Sequence, residues 1–132
     1  MGPKVLVIED NAQNLYLTTF ILEKHGYEVF PARNGREGID LAARVKPALI
    51  LLDIQLPVMD GYAVAQELKC NPALVDIPIV AVTSYAMVGD RERILAAGCE
   101  GYIEKPINPQ TFMAQVEAHL SSEPPAQEVD NG

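Results

Sequence analysis

The sequence predicts an α/β protein, a doubly wound five-stranded parallel sheet with helices on both faces. Three observations predict it. Short β-type runs alternate with helical patterns five times between residues 4 and 120, the arrangement that builds a parallel sheet. The runs KVLVI (4–8) and LILL (49–52) are continuously apolar, as strands buried on both faces are. The chain is 132 residues long and 48% hydrophobic, enough for one domain with a real core.

The elements follow in order. Lys4 to Ile8 is the first strand. A helix runs from about Ala12, with Leu17, Phe20 and Ile21 in its pattern. It stops at Gly26, with Lys24 and His25 in the last turn, where the helix dipole favours cations. Glu28 to Ala32 is the second strand. Asn34 followed by Glu37 reads as an N-cap with a capping box, opening a helix with Ile39, Ala42 and Ala43 on one face and ending before Pro47. Leu49 to Asp53 is the third strand, and Asp60-Gly61 opens a helix carrying Val64, Ala65 and Leu68. Ile77 to Thr83 is the fourth strand. A weaker helical stretch covers Gly89 to Ala97 and ends at Gly98; Gly101 to Glu104 is the fifth strand. Asn108-Pro109 starts the last helix, a cap followed by proline at the first helical position, with Phe112, Val116 and Leu120 as its apolar face. The domain is expected over 1–122. Residues 123–132 form a tail with little to bury, expected to be disordered.

Composition excludes several classes. The formal net charge is −8, which argues against nucleic acid as the primary partner. No apolar run approaches the roughly 20 residues that span a membrane, and Met1-Gly2-Pro3-Lys4 leading into a strand-like run gives no expectation of a signal peptide. Cys70 and Cys99 lack metal-type spacing and read as free thiols of a reducing compartment, hence a cytoplasmic location.

In a doubly wound sheet the ligand site lies at the carboxyl ends of the strands. Strand one ends in Glu9-Asp10, strand three in Asp53, strand four in Thr83-Ser84, and strand five runs into Lys105-Pro106. Two carboxylates about 4 Å apart repel by roughly 4 kcal/mol at an effective dielectric of 20. Three acids therefore need compensation beyond the one lysine, and a hard divalent cation such as Mg²⁺ suits carboxylate oxygens. No Cys or His neighbours these acids, so zinc does not fit. Acids, a lysine, a hydroxyl and a carboxylate nucleophile together form a phosphoryl-transfer set.

The segments VLVIEDN, LILLDIQLPVMDG, VAVTSYA and GYIEKPI resemble the receiver domain of two-component response regulators, over essentially residues 4 to 120. The details EDNxxN, DIQLP and GCEGYIEKPI look closest to the DivK-type single-domain group. The resemblance implies the flavodoxin-like strand order 2-1-3-4-5, which chemotaxis receivers share. It implies Asp53 as phosphoacceptor, and Glu9, Asp10, Asp53 and the backbone carbonyl of Gln55 around Mg²⁺. Lys105 would pair with the phosphoryl group, Thr83 would be the switch hydroxyl, and Tyr102 the aromatic switch. The Lys105-Pro106 bond is a candidate cis peptide. The implied partners are a sensor histidine kinase or histidine phosphotransfer protein and a downstream protein target. The chain would not be an enzyme, beyond catalysing its own phosphorylation and dephosphorylation. An aspartate-nucleophile phosphatase would typically need a second Asp two residues after Asp53, where this chain has Gln55.

Overall fold

The computed structural model describes residues 2–120. The tail expected over 123–132 lies outside the described residues. The elements alternate throughout: β1 (Lys4–Ile8), α1 (Ala12–Lys24), β2 (Glu28–Ala32), α2 (Gly35–Val45), β3 (Leu49–Asp53), α3 (Gly61–Lys69), β4 (Ile79–Thr83), α4 (Val88–Ala96), β5 (Gly101–Glu104) and α5 (Pro109–Leu120). The strands form one parallel sheet, as the alternation predicts, in the order β2-β1-β3-β4-β5, as the resemblance implied.

Strand alternation explains the two layers of core. Leu6, Ile8, Ile50, Leu52, Ile79 and Ala81 point to one face and pack with Ala42, Val64 and Leu68 of α2 and α3. Val5, Val7, Leu49, Leu51, Val80 and Val82 point to the other and pack with Leu22, Phe112 and Val116 of α1 and α5. Every residue of β3 and β4 is buried. Their near-continuous apolar sequence follows from that double covering.

Two helices approach the sheet through glycine. A Cβ on Gly38 would sit 2.4 Å from Cδ1 of Ile8, so a larger residue there would have to displace the Ile8 side chain. A Cβ on Gly61 would sit 2.5 Å from Cα of Ile54 and 2.7 Å from the carbonyl oxygen of Asp53. The start of α3 is thereby pressed against the backbone that carries Asp53.

Some predicted details shift. The buried face of α2 is Gly35, Gly38 and Ala42, while Ala43 is exposed. β4 starts at Ile79 rather than Ile77. The preceding carbonyls are taken by a side chain: Nζ of Lys69 donates to Val75 O at 2.9 Å and Ile77 O at 3.0 Å. Pro78, with no N–H, cannot extend the ladder as a donor. The capping box of α2 is half formed. Glu37 N–H donates to Oδ1 of Asn34 at 2.8 Å, but the Glu37 carboxylate accepts from Arg33 N–H at 2.9 Å rather than from Asn34.

Candidate functional site

The register brings the strand ends together. Ile8 pairs with Leu52, so Glu9 and Asp53 leave neighbouring strands at the same level. Thr83 pairs with Glu104, which places Lys105 one residue beyond. Glu9, Asp10 and Asp53 each offer a carboxylate oxygen, all within 4.8 Å of one another. Lys105 Nζ lies 3.3 Å from Oε1 of Glu9 and 3.3 Å from Oδ1 of Asp53. The Lys105-Pro106 peptide is cis.

Burial is uneven. Asp53 is 2% exposed and Glu9 4% exposed, while Asp10 is more open. Backbone donors hold both buried acids: Gln55 N–H donates to Oδ1 of Asp53 at 2.9 Å, and Asn11 N–H to Oε2 of Glu9 at 3.2 Å. Burial, with the adjacent Asp53 carboxylate, pushes the Glu9 carboxyl up to about 7 against a partial counter-pull from Lys105. The single ammonium does not neutralise the cluster. An all-oxygen, anionic donor set of this kind fits a hard divalent cation; nothing soft or nitrogenous among these groups favours zinc.

An open cleft of about 480 Å³ lies over the cluster, lined by the acids, Gln55 and Lys105 together with Asn11, Ala12, Asn14, Ser84 and Tyr85. Six of the predicted site residues therefore lie at one place: Glu9, Asp10, Asp53, Gln55, Lys105 and, beside them, Thr83. Thr83 is 1% exposed and does not reach the cleft wall. Tyr102 also lies off the cleft. It pairs with Ala81 in the sheet, is half-buried against the core, and has the Arg91 guanidinium 5.5 Å above its ring.

The pattern of acids, hydroxyl and lysine at these strand ends coincides with a family match. Residues 5–117 match the response regulator receiver domain. The chain belongs to this receiver family. The receiver is 45% identical over 120 residues to the polar-differentiation response regulator DivK of Brucella anthropi, covering 91% of this chain and 98% of that protein. It is 44% identical to DivK of Brucella ovis over the same shares. Among solved structures, the chemotaxis protein CheY4 of Vibrio cholerae superposes with a TM-score of 0.86 at 26% identity, over 89% of this receiver and 98% of that chain. The receiver domain of a sensor histidine kinase from Pseudomonas aeruginosa superposes with a TM-score of 0.81 at 33% identity, over 92% and 97% of the two chains. That structure is described with a magnesium ion coordinated in its active site cleft.

Sequence reasoning gave the Gln55 backbone carbonyl to the metal and its side chain an influence on phosphoryl lifetime, but missed what that side chain contacts. Nε2 of Gln55 donates to Oγ1 of Thr83 at 2.9 Å, and Ser84 N–H donates to Oε1 of Gln55 at 3.2 Å. These partners are 28 and 29 residues away in sequence, so no local pattern signals them. Asn14 on the cleft wall was legible only as part of the EDNxxN resemblance.

Proposed function

We propose that the chain is a single-domain response regulator whose Asp53 accepts a phosphoryl group from the phosphohistidine of a sensor kinase or phosphotransfer protein. The observation that carries this reading is the Asp53 carboxylate itself. It stands at the end of the central strand, opens to the cleft, and lies 3.3 Å from Lys105. A carboxylate held there is a competent nucleophile. Its oxygen forms the new bond to phosphorus as the phosphorus–nitrogen bond of the donor breaks, and the histidine leaves with the electron pair. Lys105 pairs with the oxygens of the transferred group. Glu9, Asp10, Asp53 and the backbone carbonyl of Gln55 would hold Mg²⁺. When bound, that ion neutralises charge that develops on the phosphoryl oxygens.

Phosphorylation adds roughly −1.5 to −2 charges at pH 7. Thr83 then turns its hydroxyl toward the phosphoryl oxygens, and Tyr102 moves into the space vacated. A downstream protein reads the altered surface around α4, β5 and α5. The chain catalyses its own phosphorylation and dephosphorylation and no other reaction. It works in the cytoplasm, where phosphohistidine donors are made from ATP.

Mass spectrometry tests the proposal. Incubation with Mg²⁺ and a small acyl phosphate should add one phosphoryl group, and Asp53→Asn should remove that gain. Absence of any gain, both with this donor and with phosphorylated histidine kinases of the source organism, overturns it.

A further inference from the structure

Thr83 is poised at the site, yet its hydroxyl is fully engaged elsewhere. A hydroxyl has one proton to give and two lone pairs. The proton goes to Tyr85 O at 3.1 Å, and the lone pairs accept from Tyr85 N–H at 2.9 Å and from Nε2 of Gln55 at 2.9 Å. No capacity is left for an oxygen on Asp53. Gln55, Ser84 and Tyr85 line the cleft, while Thr83 does not. The Gln55 amide thus belongs to the wall from which the hydroxyl is missing.

The orientation of that amide follows from its partners. Ser84 N–H can only donate, so it must face the carbonyl oxygen of Gln55. The amino end then faces Thr83 and donates to it. One side chain from the loop after β3 therefore clasps both Thr83 and the first residue after β4.

We infer that the side chain of Gln55 is a positioning residue, a latch that holds Thr83 and the β4–α4 loop in the unphosphorylated arrangement. The inference rests on the phosphoacceptor reading of Asp53 and extends it. The same residue is proposed to offer its backbone carbonyl to the metal, so metal site and switch are joined through Gln55. The latch consists of two neutral hydrogen bonds, one part-buried at Thr83 and one exposed at Ser84. Each such bond shifts an equilibrium by a few-fold to about tenfold, strong enough to bias the switch and weak enough for phosphorylation to release it. Shape matters: Asn is one methylene too short to span both partners. Glu keeps an acceptor for Ser84 but has no proton to give to Thr83.

Amide hydrogen exchange in the full, unphosphorylated, metal-free chain reads the latch directly. Gln55→Ala should speed exchange at Ser84 N–H by roughly threefold to tenfold, and Gln55→Glu should retain the protection. The Tyr102 ring resonances of unphosphorylated Gln55→Ala should also move toward their positions in phosphorylated wild type. An unchanged Ser84 exchange rate in Gln55→Ala overturns the latch. So does faster exchange with no movement of Tyr102, since the amide would then merely tidy a loop. A wild-type chain that takes no phosphoryl group overturns the reading of Asp53 instead; the Ser84 exchange comparison needs no donor and still tests the latch.

Discussion

Cys99 and Cys70 differ in their surroundings, and reactivity follows. Cys99 is 4% exposed, and burial together with the nearby Glu100 charge pushes its thiol up to about 12. Cys70 caps α3 and is exposed. The thiolate is the reactive form, so the native chain should take one equivalent of a maleimide, at Cys70. The second site should label only in denaturant, and intact-mass analysis before and after denaturation checks both. The same residue scale shows which parts of the site were legible. Glu9, Asp10 and Asp53 follow apolar runs, Lys105 follows the short strand GYIE, and topology brings the ends of parallel strands together. The lone pairs and protons around Thr83 were not legible. They depend on a Gln55 rotamer reaching across 28 residues of sequence, and sequence spacing carries no rotamer.

The elements were legible where local chemistry and tertiary packing agree. Asn11, Asn34 and Asp60 cap α1, α2 and α3, each accepting one of the otherwise unpaired N–H groups of the first turn. Asp60→Ala should cost about 1 kcal/mol, read as a lowered urea midpoint with an unchanged slope. Helix α4 gave the weakest sequence pattern because it buries only Ile94 among its nine residues. The buried face of α2 was misread at Ala43 because the contact is made by glycines, which carry no hydrophobic signal. The first residues of β4 were overcalled because Ile77 and Pro78 look like strand, while Lys69 claims the Ile77 carbonyl.

At the scale of the whole molecule, the acidic cluster links stability to pH. Glu9 has its folded-state value raised from 4.5 to about 7, chiefly by burial, with Asp53 adding to the rise and Lys105 opposing it. Between those values the folded chain binds a proton that the unfolded chain has released. Stability therefore falls as pH rises through this window and levels off above it. In chelator, wild type should lose more stability between pH 5 and pH 8 than Glu9→Gln, measured by urea unfolding. Mg²⁺ should raise the thermal midpoint more at pH 8 than at pH 5, because the ion competes with that proton. Equal shifts at the two pH values would dissociate Glu9 from the cation. The parallel, doubly wound sheet was the most legible feature, since element alternation and apolar strands predict it without side-chain detail; the strand order came from the family resemblance.

The close approach of Gly61 to the Asp53 carbonyl has a genetic consequence. A saturation screen scoring signalling should find this position nearly as intolerant as Asp53, although Gly61 has no side chain with which to touch a reacting atom. Even alanine would have to displace the Asp53–Ile54 backbone or the start of α3. Those alleles that fold would still misplace Asp53, and a stronger kinase would not rescue them. The position of Asp53, the proposed acceptor, is set partly by an atom the chain lacks.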